Sequence, residues 1–375
     1  MRLVITGGGT GGHTYPLIAV TKAVTALSTS YGQEPPDVYY VGPDGFAGPV
    51  IEKEGIDTHY IASGKIRRYF SLWNFLDPFK IIVGFFQSLW WLWYIMPDAI
   101  FSKGGFGAVP VIVAAWIYRI PVIIHESDSI PGIANKFSAH FARSIGVSFS
   151  TALKYFPAQK TALVGNPIDT DLLHGEDRKA SGGNLGIYSN KPIVGFLGGS
   201  QGATQINEVV LDILPRLVSA YEVVHITGKN NFTYIQKESE GELKEQERYF
   251  YHPFSYLDNF QMKDFYNACD LVVARAGSGT IFELAAFGKP SILIPLENSA
   301  SDHQRENASL YGHAGACIVL ETANLTPNLL LENIRSLFAD QQVMAQMSAN
   351  AAAFAKTNAA ELIAQQLLRI AKVIQ

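Results

Sequence analysis

A short apolar run that breaks into glycines and then into a helical pattern occurs twice in this chain, about 190 residues apart. Leu3-Val4-Ile5-Thr6 leads into Gly7-Gly8-Gly9-Thr10-Gly11-Gly12-His13 and the apolar periodicity of 16–27. Pro192-Ile193-Val194-Gly195-Phe196-Leu197 leads into Gly198-Gly199-Ser200-Gln201-Gly202-Ala203 and the pattern of 205–219. A strand that feeds a helix through a tight glycine turn opens a parallel βαβ unit. Further strand-like runs at 38–41, 99–102 and 122–125 follow the first opening, and others at 223–227, 271–274 and 291–295 follow the second. Helical patterns at 109–118 and 281–287 separate them. The chain is therefore expected to be α/β, with two Rossmann-like lobes.

A length of 375 residues suits two domains. The polar, glycine-rich stretch 167–191 reads as the link between them. The expected division is a first lobe over 1–166, a linker over 167–191, a second lobe over 192–350 and a terminal helix over 351–375 packing back on the first lobe. Hydrophobic residues make up 48% and charged residues 17%, which excludes a disordered chain. The net charge of −4 leaves no global basic field, so no nucleic-acid partner is expected. Two cysteines, Cys269 and Cys317, are too few for a disulfide scaffold or a zinc cluster. The first residues lack the apolar stretch of a secretory signal, so a cytoplasmic location is expected. The greasy run 81–96, closed by Pro97-Asp98, is short for a span and reads as a buried or interfacial helix.

A glycine turn at a helix N-terminus presents backbone N–H groups and the positive end of the helix dipole, which suits phosphate. Gly7, Gly9 and Gly12 satisfy the dinucleotide fingerprint literally, with Asp44 placed to hold a ribose. Three features weigh against a dehydrogenase. His13 sets an imidazole at the helix start, a second glycine loop opens the second half, and a third, 276–280, opens another helix there. No P-loop motif is present. Asp169-Thr170-Asp171 has the form of a metal-binding DxD run, but no metal site is expected from it.

Six motifs in order carry a more specific likeness: Gly7 to His13; His125-Glu126 with Gly132 and Asn135-Lys136; Gly165-Asn166-Pro167; Gly198 to Ala203; Arg275-x-Gly277-x-x-Thr280-x-x-Glu283; and His303-Gln304-x-x-Asn307-Ala308. Over residues 3–315 the chain resembles the MurG family, which transfers N-acetylglucosamine from UDP onto undecaprenyl-diphospho-N-acetylmuramoyl-pentapeptide, turning lipid I into lipid II in peptidoglycan synthesis. The resemblance implies a GT-B fold with two lobes facing a cleft, no cofactor, and UDP-N-acetylglucosamine and lipid I as partners. It also implies a peripheral place on the inner face of a bacterial plasma membrane, and through the cell wall a part in cell shape and division.

Carried over motif by motif, the resemblance makes His13 the candidate base and Glu126 a second catalytic candidate. Thr10, Gly11 and Gly12 would lie by the cleft, Asp128 would face the sugar, and Asn135 would take part in substrate binding. Ser200 would lie near the donor diphosphate, and Arg275 near the nucleotide. Ser278, Gly279, Thr280, Ile281, Phe282 and Glu283 would hold the nucleotide, with Glu283 on the ribose. Gln304 and Asn307 would lie by the sugar and Leu257 on the uracil. Two positions depart from the family's usual residues: Asp128 replaces Asn, and Asp169 replaces an Arg expected near the diphosphate. Lys103 or Arg275 is expected to supply the charge the diphosphate then lacks, and Asp169 itself is expected to point away to solvent or to pair with a cation such as Arg178 or Lys103. Two other readings stay open: a related UDP-sugar transferase with another lipid acceptor, and a non-catalytic nucleotide-sugar binding protein.

The aromatic stretch Phe70, Trp73, Phe75, Phe79, Phe85, Phe86, Trp90, Trp91 and Trp93 lies beside Lys65, Arg67, Arg68 and Lys80. It reads either as core or as a face that docks on anionic lipid.

Overall fold

The computed structural model describes residues 1–8, 11–64, 73–173, 177–198, 203–297, 299 and 302–374, without the side chains of 73–76 and 78. The chain forms two compact units, Met1–Asp169 with Lys356–Gln375, and Thr170–Ala355.

The first unit holds strands β1 (Arg2–Thr6), β2 (Asp37–Pro43), β3 (Asp57–Ile61), β4 (Ala99–Ser102), β5 (Val122–Glu126), β6 (Ser144–Val147) and β7 (Thr161–Leu163). They make one parallel sheet in the order β3-β2-β1-β4-β5-β6-β7. Its helices are α1 (Gly11–Ser30), α2 (Ala47–Lys53), α3 (Trp73–Ile95), α4 (Val109–Ile117) and α5 (Ile133–Ser138). Apolar clusters cover both faces of the sheet. One joins Leu3, Ile5 and Phe101 to Leu17, Val20 and Val24 of α1. The other joins Val4, Ile100 and Ile124 to Val111 and Ile112 of α4 and Leu92 and Ile95 of α3. Strands covered on both faces read as continuous apolar runs rather than alternating ones, as these do.

The second unit repeats the plan. Its helices and strands run α6 (Arg178–Asn184), β8 (Ile193–Leu197), α7 (Thr204–Val218), β9 (Glu222–Ile226), α8 (Phe232–Glu242), β10 (Tyr251–Phe254), α9 (Asn259–Ala268), β11 (Leu271–Ala274), α10 (Ser278–Ala286), β12 (Ser291–Leu293), α11 (His303–His313), β13 (Cys317–Val319), α12 (Pro327–Ala339) and α13 (Gln341–Phe354). The sheet order is β10-β9-β8-β11-β12-β13, again parallel. In each unit the first strand lies beside the strand that follows the crossover, so the order reverses there. Open α/β sheets bind ligands beyond the carboxyl ends of the strands at that switch point, here β1/β4 and β8/β11.

Three boundaries differ from the sequence reading. Helix α1 starts at Gly11, five residues before Pro16, because a proline near a helix start removes only one early bond. The stretch 167–191 is not a free link. Asp177 Oδ1 caps α6 by accepting from Ala180 N at 2.9 Å, and Arg178 pairs with Asp270 at 2.7 Å. Those contacts hold a helix containing Gly182 and Gly183, whose own propensity disfavours it. At the other end the crossing falls at Ala355/Lys356, and the last helix, α14 (Ala359–Ile370), packs its Ile363, Ala364, Leu367 and Leu368 into the α1 side of the first sheet.

Candidate functional site

In the first unit three turns converge at the carboxyl ends of β1, β4 and β5. The β4 turn, Lys103-Gly104-Gly105, has φ near +87° at both glycines, a region that side chains rarely adopt. A side chain at Gly104 would also occupy the place of the Asn135 amide. The ring of His13, in the first turn of α1, lies over this bend, since a Cβ on Gly105 would stand 3.6 Å from His13 Nδ1. Gly11 and Gly12 open the same helix, and Thr10 lies outside the described residues.

Beneath that turn Lys103 is fully buried. Its Nζ lies 2.6 Å from His125 Nδ1 and donates to Asn166 Oδ1 at 2.8 Å. His125 Nε2 lies 2.8 Å from the Gly165 carbonyl, which can only accept. The proton is therefore on Nε2, and Nδ1 accepts from Lys103. Burial pulls the Lys103 ammonium down to about 7, against the carboxylates of Glu126 and Asp128, which raise it. Burial and the neighbouring Lys103 together keep His125 neutral, well below its ordinary value.

Glu126 ends β5 as a buried tie. Oε1 accepts from Asp128 N at 3.0 Å, and Oε2 accepts from Gly132 N at 3.1 Å and Asn135 Nδ2 at 2.9 Å. Burial, aided by Asp128, pushes its carboxyl up to about 7. With both oxygens engaged in folding 126–135, Glu126 orients the loop. Asn135 is part of that tie and also donates to the His125 carbonyl at 3.1 Å.

Asp169 is buried, and its carboxylate accepts from Lys22 Nζ on α1 at 2.6 Å. Among the described residues of the first unit, Lys103, one of the cations expected to pair with Asp169, does not do so. Lys103 serves His125 and Asn166, Arg178 serves Asp270, and Arg275 Nη1 lies 3.2 Å from the Ile294 and Pro295 carbonyls and Thr322 Oγ1. Arg275 is thus bound into its own unit's loops.

In the second unit α10 starts one residue after Gly277, and a Cβ on Gly277 or Gly279 would meet nothing within 4 Å. Ser278, Gly279 and Thr280 form the first turn, with backbone N–H groups that no intrahelical carbonyl takes. Ile281 and Phe282 point inward and are buried, so their side chains are core. Glu283 Oε2 accepts from the Tyr266 hydroxyl at 2.7 Å, while burial pushes its carboxyl up to about 7. Gln304, in the first turn of α11, accepts the Leu296 N–H at 2.9 Å. Asn307 is buried, with Nδ2 3.5 Å from the Ala276 carbonyl. Leu257 is buried just ahead of α9, which places it in the core of its unit. Ser200 lies outside the described residues. Lys22 and Tyr266 were not singled out by sequence reasoning, because neither stands in a motif. Asn166, in contrast, stands within Gly165-Asn166-Pro167.

Helix α3 divides its aromatic residues. Phe85, Leu89 and Trp91 pack toward the core, with Trp91 stacked on His59 at 4.0 Å between ring centroids. Phe79, Ile82, Val83, Phe86, Trp90, Trp93 and Tyr94 are exposed, Trp90 by 60% and Phe86 by 64%. Lys65, Arg67, Arg68 and Phe70 lie outside the described residues, as do the side chains of Trp73 and Phe75. No described helix is long and apolar enough to cross a membrane.

Comparison with known proteins gives matches over both halves. The N-terminal domain model of glycosyltransferase family 28 matches residues 3–147 and the C-terminal domain model matches 193–367. A Bacillus anthracis protein named UDP-N-acetylglucosamine–N-acetylmuramyl-(pentapeptide) pyrophosphoryl-undecaprenol N-acetylglucosamine transferase 2 is 38% identical over 90% of this chain and 91% of its own. A Clostridium botulinum protein named as the same transferase is 38% identical over 91% and 92%. Among solved structures, Acinetobacter baumannii MurG superposes with a TM-score of 0.74 at 24% identity, covering 98% of this chain and 99% of that one. A Staphylococcus aureus MnaA–UDP complex superposes at 0.70 with 14% identity, covering 100% and 98%. At those identities the two structures speak for the GT-B fold alone.

Proposed function

We propose, since this chain belongs to the MurG family within glycosyltransferase family 28, that it transfers N-acetylglucosamine from UDP to the lipid-linked muramoyl-pentapeptide, making lipid II from lipid I. The observation that carries this reading is the near-full-length likeness to relatives named for that reaction. The site residues are consistent with it. His13 takes the proton from the 4-hydroxyl of the muramoyl sugar as general base. The freed oxygen forms a bond to the anomeric carbon, the bond from that carbon to the diphosphate oxygen breaks, and the electron pair leaves on UDP. Backbone N–H groups at the start of α10 answer charge on the donor, and Glu283 holds the ribose hydroxyls. Glu126 and Asn135 shape the loop beside the acceptor rather than reacting.

The exposed aromatics of α3 support a second element of the reading: the protein docks peripherally on the inner face of a plasma membrane, where a lipid-linked acceptor resides. The exposed and core-packed residues alternate around one helix, which buries one face and leaves an apolar stripe open.

The deciding measurement is UDP release from UDP-N-acetylglucosamine with a short-chain lipid I analogue. Turnover that needs both substrates sustains the reading. Donor binding without turnover would make the protein a binder, and turnover only with another sugar or acceptor would make it a different transferase.

A further inference from the structure

Tyr266 lies in the last turns of α9, fully buried, with its ring stacked on Phe287 at 5.0 Å and edge-on to Phe265 at 5.4 Å. Those aromatic contacts fix where its hydroxyl points. It points at Glu283, donating to Oε2 at 2.7 Å. Burial holds the phenol far above its ordinary value, so it donates at any pH at which the protein is used. The bond takes one carboxylate oxygen and sets the plane of the group. Among the described residues no hydrogen bond engages Oε1.

We propose that Tyr266 is a positioning residue for the donor nucleotide, holding the Glu283 carboxylate ionised and oriented so that its other oxygen accepts from the ribose diol. This rests on the reading of Glu283 given above. The chemistry is that of a diol recognised by a carboxylate: two hydroxyl donors need an acceptor, and a protonated carboxyl has lost one. Burial opposes ionisation of Glu283 and brings it to about 7, while the Tyr266 hydroxyl works in the other direction. The remaining titratable groups lie on the Tyr266 side. Cys269 faces Tyr266, and Lys289 donates to the carbonyls of Cys269 and Asn267, with Asp270 and Arg178 beyond. Among the described residues, no charged side chain of α11 or α13 acts on Glu283.

The sign follows. Donor affinity that needs ionised Glu283 is present above its pKa and is lost as pH falls through it. Removing the Tyr266 hydroxyl raises that pKa, so the loss should begin at a higher pH. The test is calorimetric titration with UDP-N-acetylglucosamine, whose diphosphate is esterified at both ends and so does not titrate near neutrality. Wild type, Tyr266→Phe, Glu283→Gln and the double variant are compared across pH. Phenylalanine keeps the ring and its stacking. In Tyr266→Phe the midpoint of the affinity profile should rise by about one pH unit, so that donor binds up to about tenfold weaker near neutrality and recovers in alkali. Glu283→Gln should bind weakly at every pH, and adding Tyr266→Phe should weaken it no further. If Glu283→Gln weakens binding while Tyr266→Phe leaves affinity and midpoint unmoved, the positioning role is overturned and the donor reading stands. A Tyr266→Phe loss equal at all pH would make Tyr266 merely structural, which also overturns it. Unchanged binding in Glu283→Gln would remove the ribose assignment itself, and the inference with it.

Discussion

Lys22 Nζ on α1 meets the Asp169 carboxylate at 2.6 Å, across 147 residues of sequence. Asp169 is the last residue before the chain enters the second unit, so this pair pins the exit of the first unit to the helix that carries His13. Asp169→Arg would set two cations against each other there. Because Lys22 is 40% exposed, solvent screens the effect to about 1 kcal/mol. The melting temperature should drop by about 2–4 °C, and Lys22→Glu in the Asp169→Arg background should recover most of it. A stable Asp169→Arg protein with a lower donor KM would instead show that this position faces the diphosphate.

His13→Ala should retain UDP-N-acetylglucosamine affinity and lose at least about 100-fold in turnover, the usual size of a general-base contribution. Calorimetry on the donor and single-turnover kinetics separate the two. Near-normal turnover in a folded variant would take the base role away from His13.

Lys103 offers a pH signature. Burial lowers its folded value to about 7 from an ordinary 10.5, so between those values the unfolded chain binds the extra proton. Stability from this group therefore rises with pH over that window. Lys103→Met removes the rise and leaves Asn166 Oδ1 and His125 Nδ1 without their donor. The variant's deficit in denaturant unfolding should grow as pH climbs above about 7. A deficit that is flat across that range would mean the buried amine does not change charge there.

Replacing Trp90 and Trp93 by serine should weaken partition onto anionic vesicles by about tenfold or more, since each exposed indole has more than a kcal/mol of burial to gain in lipid. Added salt should release part of the wild type by screening. Vesicle binding equal to wild type in the variant would show that the α3 aromatics do not insert.

Much of this architecture is legible because parallel sheets write themselves locally. A buried strand is a run of apolar residues, its turn needs glycine, and the following helix shows its period, so Leu3–Thr6 and Ile193–Leu197 could be found without a partner in view. The same locality placed His13 beside a glycine turn and Glu283 on the helix that Gly277 opens. Helix α6 reads as a link because its glycines argue against a helix, and the Asp177 cap together with the pairing of Arg178 with Asp270, 92 residues away, outweighs them.

The residues alone determined the doubly wound plan of each unit and the glycine turns, because these depend on neighbours in the chain, and their six motifs in order carried the likeness to a family whose reaction is known. Tertiary structure alone decided what the charged and polar side chains do. It gave Asp169 to Lys22, turned Arg275 onto backbone carbonyls, buried Lys103 beneath His125, and brought Tyr266 to Glu283. Such pairings depend on which elements pack together and how far each group is taken from water, and no local pattern in a sequence records either.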